Sequence, residues 1–213
     1  MTGTPELPWH AADLVALDLE GSGAQDRERE AILEIAVVPL TAGQPVRGDA
    51  YTTLVNPGRT VPRRPWMSPG LTIDALRTAP TVAEIAPELA RRITGRILVG
   101  HNIGVDWRLL HRHCPRIKQA ALIDTFRLAR RVHLDAGRGF TQLLDHFGLT
   151  RSVNAAAPTS TPHRALWDTL AVALLLSQLV EHRWTEPPGI AELVGATTLP
   201  AVGDTSDRQE TLF

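Results

Sequence analysis

Four acidic residues and one histidine stand out because they lie where a folded chain rarely leaves a charge. Asp18 and Glu20 end the apolar run VALDLE, and in a β-strand their side chains point to the same face. Asp106 closely follows a second short apolar run, LVG. Asp168 lies in the apolar helical segment that follows His163, where an unpaired carboxylate loses hydration at a high cost. Each position therefore needs a structural or chemical reason.

Taken singly, these residues have ordinary explanations. Asp106 could cap the following helix, Asp168 could accept a backbone hydrogen bond, and His163 could be an exposed loop residue. Divalent cations account for all of them together, because a cation cancels the repulsion between carboxylates. Oxygen ligands favour Mg²⁺ or Mn²⁺ over Zn²⁺. Two such ions about 4 Å apart can stabilise both oxygens of a phosphoryl transfer, and a histidine at the rim can accept the proton of the attacking water.

The predicted elements are strands first and alternating helices and strands later, which is typical of an α/β fold with a mixed sheet. Alternating apolar residues predict strands over residues 14–20, 32–40 and 51–55. Thr72 and Thr81 are predicted N-caps in the helical stretch that follows, and Pro87 within it argues against one unbroken helix. Further short strands are predicted at RILVG and ALID, each followed by a helix.

The last third of the chain divides into a loop, a long helix and a tail. Residues 150–162 are predicted to form a loop, and HRALWDTLAVALLLSQLVEHRW is the strongest predicted helix. From residue 185 onward, prolines, glycines and threonines predominate, so the segment 185–213 is predicted to be a mostly flexible tail.

Composition excludes several classes of protein. The formal net charge is −1, so phosphate binding must come from a local patch or from metal ions rather than from a strongly basic surface. Cys114 is the only cysteine, which excludes an internal disulfide and fits a reducing compartment such as the cytoplasm. No signal peptide and no membrane-spanning run is expected, because the apolar segments are too short and too interrupted.

Three motifs, in this order, resemble those of the DEDDh branch of 3′–5′ exonucleases. This branch includes the proofreading subunit of bacterial replicative DNA polymerase, RNase T and oligoribonuclease. The family motif D-x-E matches DLEGSG, H-N-x-x-x-D matches HNIGVD, and H-x-A-x-x-D matches HRALWD. The resemblance implies the RNase H-like fold, with a mixed five-stranded sheet flanked by helices and an antiparallel second strand. It places an exonuclease domain in residues 1–184, followed by the tail.

The same resemblance implies a role for each residue of the set. By motif position, two divalent cations, Mg²⁺ or Mn²⁺, are held by Asp18, Glu20, Asp106 and Asp168. His163 is the implied general base for attack of water on the terminal 3′ phosphodiester, which releases a nucleoside 5′-monophosphate. DNA is the favoured substrate, and RNA is the alternative. A module that binds nucleic acid or a polymerase without cleaving is less favoured, because no acid of the set is missing.

Weaker expectations concern the residues around this set. Gly21 and Ser22 stand where proofreading subunits usually have threonines, so they are expected to shape the pocket for the terminal nucleotide. His101 and Asn102 are expected to contact the substrate, although Asn102 could equally cap the next helix. Glu34, an acid in an apolar strand, either supports the acidic set or forms a hydrogen bond across the sheet.

The C-terminal pentapeptide QETLF resembles the motif by which many bacterial polymerases and repair proteins bind the β sliding clamp. Gln209, Leu212 and Phe213 stand at the matching positions. Two apolar side chains and one amide at the end of a flexible segment suit docking into a groove. A tether of this kind raises the local concentration at DNA ends, whereas the alternative is a chance match to a short motif.

Overall fold

A mixed β-sheet forms the centre of the computed structural model, which describes residues 6–23, 29–65, 67–132 and 139–198. Its strands are β1 Leu14–Gly21, β2 Ile32–Thr41, β3 Gln44–Pro45, β4 Tyr51–Leu54, β5 Ile97–Gly100 and β6 Ala121–Asp124. β2 is antiparallel to β1, as predicted, whereas β5 is parallel to β1 and β6 to β5. The sheet has six strands rather than the expected five, because the short β3 pairs with β2 in addition to β4.

Helices cover both faces of the sheet. They are α1 Ile73–Thr78, α2 Val82–Ile93, α3 Gly104–His113, α4 Thr125–Arg131, α5 Phe140–His146, α6 Thr150–Ala156, α7 Ala165–Arg183 and α8 Ile190–Thr197. The alternation along β1 decides which helices it meets. Val15 and Leu17 pack into the cluster that contains α2 and α3 residues, and Leu14 and Ala16 pack into the cluster formed with α4 to α8. The predicted α/β class is confirmed.

α7 is the central helix of the larger cluster and packs across β1 and β2. Most of its 19 residues are buried, which agrees with its apolar sequence on nearly every face. Its second half is fixed to the turn between β2 and β3, because Ser177 Oγ donates a hydrogen bond to the Gly43 carbonyl at 2.7 Å. Although α7 is apolar, the described residues contain no helix with both the length and the apolarity to cross a membrane.

The predicted helical stretch after β4 is divided at a different proline from the one expected. α1 ends at Thr78 and α2 begins after its N-cap Thr81, so the break lies at Pro80. Pro87 lies inside α2, and the prediction that it interrupts a helix is wrong. The Ala83 carbonyl, four residues before Pro87, lies at an exposed position where water can replace the missing backbone bond.

Two segments that were predicted to lack regular structure contain helices. The loop prediction is wrong for α6, which is held by burial of Val153 and by a 2.9 Å hydrogen bond from Trp167 Nε1 to Asn154 Oδ1. The flexible-tail prediction is wrong for residues 185–198, because α8 packs onto α4 and β6 with Leu193 fully buried. The rest of the predicted tail, residues 199–213, lies outside the described residues.

The segment before β1 and the segment before α8 are bonded to each other. Trp9 N–H donates to the Pro188 carbonyl at 3.0 Å, and Ile190 N–H donates to the Leu7 carbonyl at 2.9 Å. These bonds form an antiparallel bridge beside the start of β1. The acidic residues of β1 lie at the other end of that strand.

Candidate active site

Three of the predicted acidic residues meet at the carboxyl end of β1. Asp18 and Glu20 project from the same side of the strand, and Asp168 comes from the first turn of α7, which crosses β1. One carboxylate oxygen from each of these three residues lies within 4.8 Å of the other two. The structure therefore brings together residues that are about 150 positions apart in the chain.

Asp106 adjoins this group from the first turn of α3. Its Oδ1 accepts a hydrogen bond from Leu19 N–H at 3.2 Å, and Leu19 lies between the two acids of β1. Burial, followed by the charge of Asp18, raises the pKa of Asp106 well above its ordinary range. The N-cap residue of α3 is Ile103, whose side chain makes no capping hydrogen bond, and the Asp106 carboxylate also accepts from its own backbone N–H in the first turn of this helix.

Burial and mutual repulsion make this group unfavourable in its charged form. Burial raises the pKa of Asp18 to about 7, and the charge of Glu34 adds to the effect. Burial, with the charge of Asp18 second, raises the pKa of Glu20 to about 9 and that of Asp168 to about 8. A bound divalent cation would remove this repulsion, and a donor set of carboxylate oxygens suits a hard cation. The residues present therefore fit a divalent metal site.

His163 lies at the rim of the acidic group rather than within it. The residue is exposed and has a φ of +65°, in the left-handed region that residues with a Cβ rarely adopt. Its backbone N–H donates to the carboxylate of Asp168, which partly offsets the rise in the pKa of that group. The backbone of His163 is thus bonded to Asp168, and the residue is open to solvent.

A partly buried ion pair next to His163 in the chain is a part of the site that the sequence did not reveal. Arg164 Nε and Nη2 donate to the two carboxylate oxygens of Glu34, each at 2.7 Å. Glu34 Oε2 also accepts from Ala165 N–H at 3.4 Å. The hydrogen bond to Glu34 is the main reason that the pKa of Arg164 is raised. The carboxylate of Glu34 therefore bonds to the start of α7, and the hydrogen bond across the sheet that was an alternative is wrong.

His101 is held in the fold by aromatic packing. Its ring centroid lies 5.5 Å from that of Phe126 and 4.7 Å from that of Phe140, and its Nδ1 is 3.0 Å from Thr125 Oγ1. Burial lowers the pKa of His101 to about 4, so the ring is neutral at physiological pH. The ring is fixed by these contacts, and its expected contact with substrate stays a prediction.

Asn102 is exposed, with a φ of +59°, and its side chain does not cap α3. Its backbone N–H donates to Asp124 Oδ1 at 2.9 Å, and the same oxygen accepts from Phe126 N–H at 3.0 Å. Asp124 was missed by sequence reasoning, although an aspartate directly before a predicted helix is a signal for an N-cap. The exposed side chain of Asn102 leaves its expected contact with substrate as a prediction.

Gly21 is the last residue of β1, Ser22 follows the strand, and the pairing with β2 shifts register between Glu20 and Gly21. Ser22 is buried, and its Oγ accepts a hydrogen bond from Ala31 N–H at 3.0 Å. The hydroxyl therefore links the residue after β1 to the residue before β2. A Cβ on Gly21 would lie 2.8 Å from Glu30 Oε1, so a larger residue there would require the end of the Glu30 side chain to move. The role of both residues in a nucleotide pocket stays a prediction.

Comparison with protein families gives a clear assignment. The model of a family described as exonuclease matches residues 15–176, which is more than half of the chain. The chain belongs to the exonuclease family. The exonuclease is 32% identical over 171 residues to a DNA polymerase III subunit epsilon-like protein of Rhodobacter capsulatus, covering 79% of this chain but only 24% of that protein. It is 26% identical over 175 residues to the DNA polymerase III subunit epsilon of Aquifex aeolicus, covering 80% and 81% of the two chains.

Solved structures agree with this assignment. The exonuclease superposes on Exonuclease X, solved in complex with 5′ overhanging duplex DNA, with a TM-score of 0.63, 25% identity, and coverage of 87% of this chain and 99% of the other. The nuclease domain of 3′hExo, a DEDDh family member, shares the fold with a TM-score of 0.57 and 16% identity, covering 80% and 92% of the two chains. The resemblance to DEDDh exonucleases and the RNase H-like fold are confirmed.

Proposed function

We propose that this protein is a 3′–5′ exonuclease that removes nucleoside 5′-monophosphates from DNA in the cytoplasm, in replication or repair. The observation that carries the proposal is the group of carboxylates from Asp18, Glu20 and Asp168 within 4.8 Å of one another. The names of the epsilon relatives and the DNA bound in the Exonuclease X structure support DNA as the substrate.

The four acids would hold two divalent cations, Mg²⁺ or Mn²⁺, with ligands from Asp18, Glu20, Asp106 and Asp168. Once bound, such ions stabilise the attacking and leaving oxygens of phosphodiester hydrolysis. Two backbone N–H groups, one in β1 and one just before α7, hold two of these carboxylates in place. Asp106 is fixed by the backbone of Leu19, and Asp168 is fixed by the backbone N–H of His163.

The first test of the proposal is a digestion of 5′-labelled single strands, DNA and RNA in parallel, with Mg²⁺ or Mn²⁺. We expect a ladder that shortens from the 3′ end with DNA, and no products with Asp18→Ala. A faster reaction with RNA would favour the RNA alternative. The absence of laddering with both nucleic acids would contradict an enzymatic function.

His163 is proposed to accept the proton of the attacking water, because the residue is exposed and its backbone N–H bonds to Asp168 of the acidic group. We expect His163→Ala to lower kcat by about 10²-fold or more, as for the loss of a general base. His182→Ala is the matched control, because His182 is also exposed and lies at the opposite end of α7. A His163→Ala protein with a kcat near that of the natural protein would contradict the assigned role.

The proposed partner is the β sliding clamp, bound through Gln209, Leu212 and Phe213, which lie outside the described residues. The support for this partner is the similarity of QETLF to clamp-binding pentapeptides. We expect deletion of residues 209–213 to abolish binding to a clamp in a pull-down and to leave hydrolysis of a free single strand unchanged. Clamp binding that survives the deletion would remove this partner.

A further inference from the structure

The ion pair between Glu34 and Arg164 is the part of the site to which the proposed chemistry assigns no role. It connects β2 to the residue that directly follows His163, across 130 positions of the sequence. Both oxygens of Glu34 are used, each at 2.7 Å, and Glu34 is only 4% exposed. A bidentate pair between a guanidinium and a carboxylate fixes the orientation of both groups, unlike a single contact.

The backbone at His163 needs such support. Its φ of +65° is unfavourable for a residue with a Cβ and persists only where the surrounding structure holds it. Here, hydrogen bonds on both sides of His163 hold its backbone in this conformation. The His163 N–H donates to the Asp168 carboxylate, and Glu34 accepts hydrogen bonds from the Arg164 side chain and from the Ala165 N–H.

A third segment of the chain packs against the guanidinium. Gly70, which lies just before α1, approaches Arg164 so closely that a Cβ on Gly70 would overlap Nη1 and lie 3.1 Å from Cζ. Residues 34, 70 and 164 therefore form one contact at which β2, the loop before α1 and the start of α7 meet. We call this arrangement the Glu34–Arg164 clamp.

We propose that the Glu34–Arg164 clamp positions the His163 imidazole for proton transfer. The clamp does not touch the reacting atoms in this proposal, so Glu34, Arg164 and Gly70 are positioning residues. The inference rests on the proposed role of His163 as general base. It assigns a function to the strained turn, which sets the direction of the imidazole at the rim of the acidic group.

Glu34 itself is a poor choice for the test because its charge also acts on the acids. It raises the pKa of Asp18, Glu20 and Asp168, so that its neutralisation would alter the metal site as well. Substitutions on the opposite side of the clamp keep every carboxylate and the net charge, and the Mn²⁺ affinity then reports any change that reaches Glu20 through its interaction with Arg164. Arg164→Lys keeps the positive charge and loses the bidentate geometry. Gly70→Ala changes no charge and displaces the guanidinium.

We expect Arg164→Lys and Gly70→Ala each to lower kcat by about 10- to 100-fold, as a small misplacement of a reacting group does. KM and the affinity for Mn²⁺, measured by calorimetry, should stay unchanged. Gly48→Ala is the matched control for Gly70→Ala, because Gly48 has a compatible φ and no atoms within 4 Å of a Cβ. Thermal unfolding serves to check that each variant is folded. The two substitutions perturb the clamp independently, one at the guanidinium itself and the other at the glycine packed against it.

The decisive measurement is a double-mutant cycle in single turnovers. In the His163→Ala background, Arg164→Lys and Gly70→Ala should have no further effect on the rate, because they act only through the imidazole. An equal loss in both backgrounds, or a parallel loss of Mn²⁺ affinity, would overturn the clamp proposal. A normal rate for His163→Ala alone would instead overturn the role of His163 as base, and the clamp proposal with it.

Discussion

The two ends of the central sheet satisfy their polar groups in opposite ways. At the end where β2 turns into β3, Ser177 donates to the Gly43 carbonyl, and Trp9 packs on the same turn with 6% of its surface exposed. At the carboxyl end of β1, the carboxylates of Asp18, Glu20 and Asp168 lie close together, although burial and mutual repulsion disfavour their charged forms. The first end stabilises the fold, whereas the second is stable only because the rest of the fold supports it.

Backbone strain follows the same division. The positive φ angles of Ala42 and Gly43 belong to the tight turn between β2 and β3, where a short hairpin requires them. Those of Asn102 and His163 belong to no hairpin turn: Asn102 lies between β5 and α3, which contains Asp106, and the His163 N–H bonds to Asp168. Unfavourable charge and unfavourable backbone thus occur together at one end of the sheet, which is the usual mark of a functional site.

The largest expected effect comes from a substitution that changes activity and stability in opposite directions. Asp18→Asn should abolish cleavage and, at pH 8 without metal, raise the melting temperature, because it removes one of several buried like charges. Nuclease assays and thermal unfolding in EDTA measure the two effects. Asp74→Asn, at a side chain that is 90% exposed, is the control and should change neither. A lower melting temperature for Asp18→Asn would contradict the contrast between the two ends.

The pH dependence of stability should be smaller but of a defined sign. The folded pKa values of Asp18, Glu20 and Asp168 are about 7, 9 and 8, whereas the unfolded residues titrate near about 4. Above pH about 4 the folded state therefore holds more protons than the unfolded state, and the free energy of unfolding falls as pH rises. His101, with its pKa lowered to about 4, has the opposite effect, but only below the unfolded histidine value of about 6.5.

Thermal unfolding in EDTA between pH about 7 and about 9 avoids the titration of His101, and a Cys114→Ala background removes the thiol whose pKa burial also raises. The melting temperature should fall across this window. Added Mn²⁺ should raise the melting temperature most at the upper end of the window, where the free carboxylates can bind it. Asp18→Asn should flatten the slope. A melting temperature that is constant or rises with pH would show that the end of β1 does not concentrate unfavourable charge.

The smallest expected effect tests the other end of the sheet. Ser177→Ala leaves the Gly43 carbonyl without its side-chain donor and should lower the free energy of unfolding by about 1–3 kcal/mol. kcat should not change, because this contact lies at the end of the sheet opposite the acids. Ser152→Ala, at an exposed serine on α6, is the matched control and should not destabilise the protein. A large loss of activity in Ser177→Ala would show that the two ends are coupled.

Local patterns in the sequence were sufficient for the parts of the site that depend on local geometry. The alternation in β1 predicts that Asp18 and Glu20 share a face, and Thr72 and Thr81 are N-caps in the structure as predicted. The family motifs placed Asp168 with the acids of β1, which no periodicity could do because the contact spans most of the chain.

The missed features depend on tertiary contacts that leave weak local signals. Glu34 was noticeable as an acid in an apolar strand, but its partner Arg164 is 130 residues away. α6 and α8 are short helices in segments rich in alanine, threonine, glycine or proline, and burial of Val153 and Leu193 stabilises them. Pro87 was misjudged because an exposed carbonyl tolerates the loss of one backbone bond.

The bridge between Pro8 and Gly189 joins the segment before β1 to the segment before α8. Polypeptide leading into β1 and polypeptide leading into α8 run side by side at the start of β1, away from the acids. Fraying of either segment would therefore release the other, so amide exchange at Trp9 and Ile190 should be correlated.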